Sequence, residues 1–243
     1  MGATLSVARR ELAGYFATPV AYVFIVIFLV MSGALTFTLG NFFARGTADL
    51  SPFFGFVPWL FLFLVPAITM RLWAEERRLG TIELLLTLPL AQWQAVLGKF
   101  LAAWAFCAIA LLLTFPLVVT VNYLGSPDNG VIAAGYAGCL LVAGAFLAVG
   151  AAISALTKNQ VIAFVLTVAV CFLFTAAGSP VVTAFLSTRL PVMVEVARGL
   201  SINERLGGFS RGIVSLPDLV FFASFIGFWL FANTVIVDHR KAD

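Results

Sequence analysis

Six stretches of this chain run for about 20 residues each with no charge in their interiors: roughly 19–40, 55–73, 100–124, 131–156, 159–178 and 217–237. About 20 mostly apolar residues in a helix cross the ~30 Å hydrocarbon layer of a bilayer. An acid or base at the centre of such a helix would cost about 2.5–3.5 kcal/mol on the insertion scale. Their absence selects lipid as the surrounding solvent. Charged residues make up 10% of the chain, against about 25% in a soluble domain, and the mean hydropathy is +1.09. A soluble fold of this size has to present a polar surface that this composition lacks. The expected fold is therefore an all-α integral membrane protein with six transmembrane helices. The net charge of +3 is small, and the basic residues gather near span ends. That pattern is topological and does not point to nucleic acid.

The first stretch follows Arg9 and Arg10, as a signal peptide would. It exceeds a usual apolar signal region, and no small-residue cleavage site follows cleanly, so it reads as a retained span. With the N-terminus cytoplasmic, the inner side collects Arg9, Arg10, Arg71, Arg77, Arg78, Lys99, Lys158, Arg240 and Lys241, while the two short outer loops hold Arg45. Arg189, Arg198, Arg205 and Arg211 weaken this bias without reversing it, and both termini are expected inside.

Three segments are not simple spans. Residues 4–16 place Leu5, Ala8, Leu12 and Tyr15 at helical spacing, with Arg9, Arg10 and Glu11 facing elsewhere. This fits an interfacial helix on the inner leaflet, turned into the first span by Pro19; the bland alternative is a disordered tail. Within the cytoplasmic segment 75–98, Gly80 can end the helix that continues span two and Thr81 can cap a short new one. Glu83 then lies near that helix's positive end, and Pro89 breaks the run. Ile82, Leu84, Leu85, Leu86 and Leu88 make an apolar surface for docking, either on headgroups or on another protein. The connection from Ser179 to Leu216 is too long for a plain loop. Over 180–212 it fits one or two short helices dipping into the outer leaflet, with Ser201 and Glu204 as a capping box and Gly207–Gly208 as the stop. Gly138, Gly144, Ala148 and Ala152 mark the fourth span as a close helix–helix contact, within one chain or between two.

The chain carries no phosphate-binding loop, zinc-protease helix or nucleophile elbow. Cys107, Cys139 and Cys171 read as packing residues and the single histidine, His239, as a solvated tail residue, so no metal site is expected. The uncharged spans offer no proton or sodium relay and no selectivity filter. Any work done here needs an energy source outside this chain, and residues 81–90 are a plausible dock for it.

Two passages carry a resemblance: EERRLGTIELLLTLPLAQWQAVLGK (Glu75 to Lys99) and SINERLGGFSRGIVSLPDLVFF (Ser201 to Phe222). With the six spans and the interfacial helix, they resemble the membrane subunits of ABC-2 type ABC transporters over nearly the whole chain. The second passage, through Phe209, Gly212, Asp218 and Phe222, is similar to the gliding-motility-associated and copper-maturation-associated branches. The resemblance implies a non-catalytic permease in a bacterial inner membrane. ATP and Mg would be bound by separate ABC ATPase subunits, with no cofactor in this chain. A second permease chain, identical or related, would complete the unit, and an extracytoplasmic partner would meet residues 180–212. It also implies ATPase contact by Thr81, Ile82, Glu83, Leu84 and Leu85, supported by Glu75, Glu76, Arg77, Arg78 and Gly80. Glu75 and Arg78 are spaced to pair with each other at the surface. The competing functional classes are an autonomous secondary transporter or channel and an intramembrane enzyme.

Overall fold

The computed structural model describes residues 2–80, 91–189 and 191–239. Among these residues the regular elements are helices only. They are α1 (Gly2–Phe16), α2 (Pro19–Ala34) with a π-helical turn at Leu35–Leu39, α3 (Ser51–Thr69), α4 (Ala74–Leu79), α5 (Gln92–Leu112) and α6 (Phe115–Leu124). There follow α7 (Asn129–Leu156), α8 (Gln160–Ala176), α9 (Pro180–Arg189), α10 (Pro191–Leu200), α11 (Ile202–Phe209) and α12 (Leu216–His239). This is an all-α integral membrane protein.

Five runs among the described residues are long and apolar enough to cross a bilayer: Pro19–Leu39, Ser51–Leu79, Gln92–Leu124, Asn129–Leu156 and Leu216–His239. The expected span at 159–178 differs. Its helix, α8, has 17 residues and meets α9 across a 74° bend, so a sixth span exists only if this bent pair is counted as one. Pro180 accounts for the bend, because it disfavours helical backbone in Ser179 before it and opens α9. The third span begins earlier than expected, at Gln92, and is interrupted at Leu113–Thr114. Pro116 has no N–H to donate and its ring crowds the carbonyl of Leu112. The Thr114 hydroxyl satisfies part of the break, donating to Leu111 O at 2.6 Å and lying 2.7 Å from the Tyr136 hydroxyl.

The core is built around α7. Val142 to Val149 are each fully buried or nearly so, against α3, α5, α8, α11 and α12. The small residues of this span serve contacts within the chain: Gly138 lies against Leu206 and Phe209, and Gly144 against Trp104 and Ile226. Phenylalanines fill the space between helices, as in the Phe28–Phe61 stack at 5.3 Å and the Phe24–Phe106 contact at 5.2 Å. Asp128 caps α7 by accepting from Gly130 N at 2.8 Å, and Asn159 caps α8 by accepting from Val161 N at 2.9 Å.

The N-terminal helix forms, two residues longer than expected. Ala8 is buried and Leu12 and Tyr15 pack against the core as their spacing implies, whereas Leu5 is exposed and Thr4 and Val7 are buried. Three helices rather than one or two fill 180–209. Ser201 caps α11 as expected, accepting from Glu204 N at 3.4 Å. That helix passes through Gly207 and Gly208 to Phe209, and the reversal falls instead at Gly212, whose φ of +79° suits glycine.

Candidate functional site

The feature of interest begins where α3 ends. A short turn at 70–73 leads into α4, whose first backbone N–H groups have no partner within the helix. A hydroxyl from another helix supplies one. Ser154 Oγ, in the last turn of α7, accepts from Trp73 N and Ala74 N, each at 3.2 Å, and donates to Met70 O at 3.2 Å. Trp73, Ala74 and Ser154 are fully buried. At the other end of α4, Arg77 Nη1 donates to Ala155 O at 2.8 Å, occupying one of the last carbonyls of α7. Helix α4 is thus fastened to the end of α7 at two points. Gly80 closes it at φ +70°, as its position in the sequence implies.

The third fastening is ionic. Lys99, in the third turn of α5, is 3% exposed. Its Nζ lies 2.7 Å from Glu76 Oε1 and 3.3 Å from Glu11 Oε2, and 5.4 Å from the centre of the Trp73 ring. A buried cation needs such partners, since isolating it from water costs several kcal/mol. Helix α1 comes close enough to supply Glu11 because Gly98 has no side chain: a Cβ there would stand 2.8 Å from Val7 Cβ and 3.0 Å from Thr4 O. Lys99 therefore ties together α1, α4 and α5, and through α4 the end of α7. Beside it lies a cavity of about 300 Å³ lined by Tyr15, Arg71, Glu75 and Glu76 among others. Burial, with Glu11 close by, holds the Tyr15 phenol far above its ordinary range.

Of the residues expected to support coupling, Glu76, Arg77 and Gly80 are held in this assembly. Glu75 lines the cavity, and no ion pair joins it to Arg78. The expected Glu75–Arg78 pair is replaced by Glu76–Lys99, because the inward face of α4 carries Glu76 and Arg77. Thr81, Ile82, Glu83, Leu84 and Leu85 lie outside the described residues. Lys99, Glu11, Trp73 and Ser154 were not expected as a unit. Lys99 had a signal, a lone cation at the border of an apolar stretch. Ser154 had none, being one hydroxyl in a helix full of small residues.

At the opposite end, the residues of the second passage form a second knot. Arg205 Nη1 donates to Asp218 Oδ1 at 2.7 Å, Ser215 Oγ donates to Asp218 Oδ2 at 2.5 Å, and Arg205 Nη2 donates to Gly199 O at 3.1 Å. The rings of Phe209 and Phe222, both fully buried, meet at 6.3 Å. This knot fixes α11 and the start of α12 against the first turns of α7, where Val131 touches Gly212.

Residues 34–194 match the family described as ABC-2 family transporter protein. The matched range ends before the knot at 199–222, on which the resemblance to the gliding-motility and copper-maturation branches rests. Comparison with curated proteins finds no match.

Proposed function

This chain belongs to the ABC-2 family of transporter proteins, and from that premise we infer that it is the permease subunit of an ATP-driven complex whose nucleotide-hydrolysing subunits are separate chains. The family is a membrane transport component; the partner ATPase, with its ATP and Mg, is our reading. Residues 81–90, between α4 and α5, receive the motor, with Thr81, Ile82, Glu83, Leu84 and Leu85 in contact. Both flanks of that segment are anchored: α4 by Ser154, Arg77 and Glu76, and α5 by Lys99. This is the observation that carries the proposal. A push on 81–90 moves α4, α1, α5 and the end of α7 together, as a rigid lever does. The basic residues near this end support a cytoplasmic placement of both termini in a bacterial inner membrane.

A second permease chain, identical or related, completes the translocation unit. At the far end, α10 presents Val192, Met193, Val196 and Leu200 outward. This suits an extracytoplasmic partner of the kind found in the gliding-motility and copper-maturation branches. The cargo is then either lipid-like or none, the motion being passed to that partner.

The test is co-purification from native membranes in mild detergent. An ATPase chain is expected with the wild type and is expected to be lost with Glu83→Ala/Leu85→Asp, which still inserts. Unchanged recovery with the double variant rejects the docking assignment. Gradient-driven flux through liposomes holding this chain alone rejects the whole reading in favour of an autonomous transporter.

A further inference from the structure

The groove between α1 and α5 has a chemistry that neither the motor nor the bundle uses. It measures about 630 Å³, within the range of small-molecule sites. Leu5, Ala8 and Leu12 form one wall and Leu101, Ala105 and Ala108 the other. The indole N–H of Trp104 at its edge already donates to Leu140 O at 2.8 Å. The interior therefore offers a ligand no side-chain hydrogen bond. The one charged residue in the lining is Arg9. On the same helix Arg10 pairs with Glu11 at 3.0 Å, and Glu11 and Glu76 both serve Lys99. Among the described residues Arg9 has no carboxylate partner.

The depth of the groove is informative. Along α5 the lining runs from Leu101 to Ala108, about 10 Å at ~1.5 Å per residue. That is about a third of the ~30 Å hydrocarbon layer and fits within one leaflet. Other outward faces carry bulky side chains, such as Val23, Ile27 and Val30 of α2. Here alanines at 105 and 108 leave a recess instead.

We propose that this groove holds one acyl chain of an anionic phospholipid from the leaflet on which α1 lies, with Arg9 on the lipid phosphate. An apolar recess contained within one leaflet matches part of the acyl chain, and the exposed Arg9 guanidinium in its lining matches the headgroup phosphate. The lipid wedges α1 against α5 on the side away from Glu11 and Lys99. The proposal needs no motor subunit and stands apart from the coupling reading.

Delipidated chain in detergent, titrated with phosphatidylglycerol or phosphatidylcholine of identical acyl chains, tests it by native mass spectrometry. One retained phosphatidylglycerol per chain is expected, favoured about fivefold over phosphatidylcholine, the contribution of one cation. Arg9→Gln should bring that ratio close to one, and Arg9→Lys should keep most of it. Ala105→Leu/Ala108→Leu should expel both lipids. No preference in the wild type, or an unchanged ratio in Arg9→Gln, overturns the headgroup assignment. Retention in the filled variant overturns the groove, and so does a filled variant that changes oligomeric state while lipid binding stays constant. Since that variant could fold poorly, the unaltered chain in vesicles gives a second reading. Phosphatidylglycerol brominated on its acyl chain should quench Trp104, measured against Trp104→Phe, more than brominated phosphatidylcholine at equal mole fraction. Equal quenching counts against the site.

Discussion

Replacing Lys99 with methionine isolates the ionic fastening, because methionine keeps much of the aliphatic stem and removes only the charge. At about 4 Å between charge centres and an effective dielectric of ~20, each ion pair is worth about 4 kcal/mol of Coulomb energy. Desolvation offsets most of that, so the net value of the triad over an apolar one is near zero. The variant, however, leaves Glu11 and Glu76 facing each other across the space Lys99 filled. Stranding buried charge in this way costs about 3–5 kcal/mol. Both carboxylates retain 21% exposure, which places the expected loss near the lower end, about 3 kcal/mol. For a chain of this length, ~2–4 °C per kcal/mol converts this to a Tm lower by roughly 6–12 °C.

The assay is thermal unfolding in detergent, with the cycle completed by Glu11→Gln/Glu76→Gln and by the triple variant. The triple variant should recover at least half of the loss, since no unpaired carboxylate remains. Raising the salt concentration should leave the wild-type value nearly constant, because Lys99 is 3% exposed and little screened. A Lys99→Met variant within about 1 °C of wild type, or a triple variant no better than the single one, would refute the argument that this cation organises the junction.

Three further outcomes follow from neighbouring contacts. Ser154→Ala leaves two buried N–H groups at the start of α4 without an acceptor, so a loss of about 1–3 kcal/mol is expected in the same unfolding assay; a neutral result means the turn at 70–73 is not held by that hydroxyl. Gly98→Ala pushes a methyl group into Val7 and should cost about 1–3 kcal/mol, with Val7→Ala restoring part of it; an unaffected Gly98→Ala means α1 lies farther away. Asn233 is fully buried in α12 and neither polar atom of its amide has a partner among the described residues, so Asn233→Leu should raise the Tm, by about 1–3 kcal/mol of relieved desolvation; a lower Tm means the amide is satisfied.

The architecture was readable from sequence because lipid permits so few answers: an uncharged run of sufficient length has to be a helix across the bilayer. Local punctuation was readable too. Pro19 opens α2, Gly80 closes α4, and Ser201 caps α11. What the sequence hid is pairing across distance. Glu11 sits 88 residues before Lys99, and the periodicity of α1 alone places Glu11 off its apolar face. In the fold, Gly98 admits Thr4 and Val7 beside Ala8, and Glu11 comes within 3.3 Å of the cation. The 159–178 span has a feature hidden for a related reason. Its apolar count satisfies the length rule, but Pro180 sets a 74° corner that hydropathy cannot register.

The position of the charges bears on how force travels. An ion pair deep in the spans would break its partners whenever the helices slid, at several kcal/mol each time. Placing Lys99, Glu76 and Glu11 at the bundle's end avoids this. The apolar faces of α7 and its neighbours can shift against one another with little change in polarity. On the coupling reading, the charged cluster moves as one piece with the segment the motor pushes, and the deformation falls on hinges whose chemistry tolerates it. Two such points are evident, the break at Leu113–Thr114 beside Pro116 and the bend between α8 and α9 at Pro180. Both lie toward the end of the bundle opposite Lys99. A displacement applied near α4 would therefore pass through α5 and α7 largely intact and be released on the far side, where α10 presents its apolar stripe.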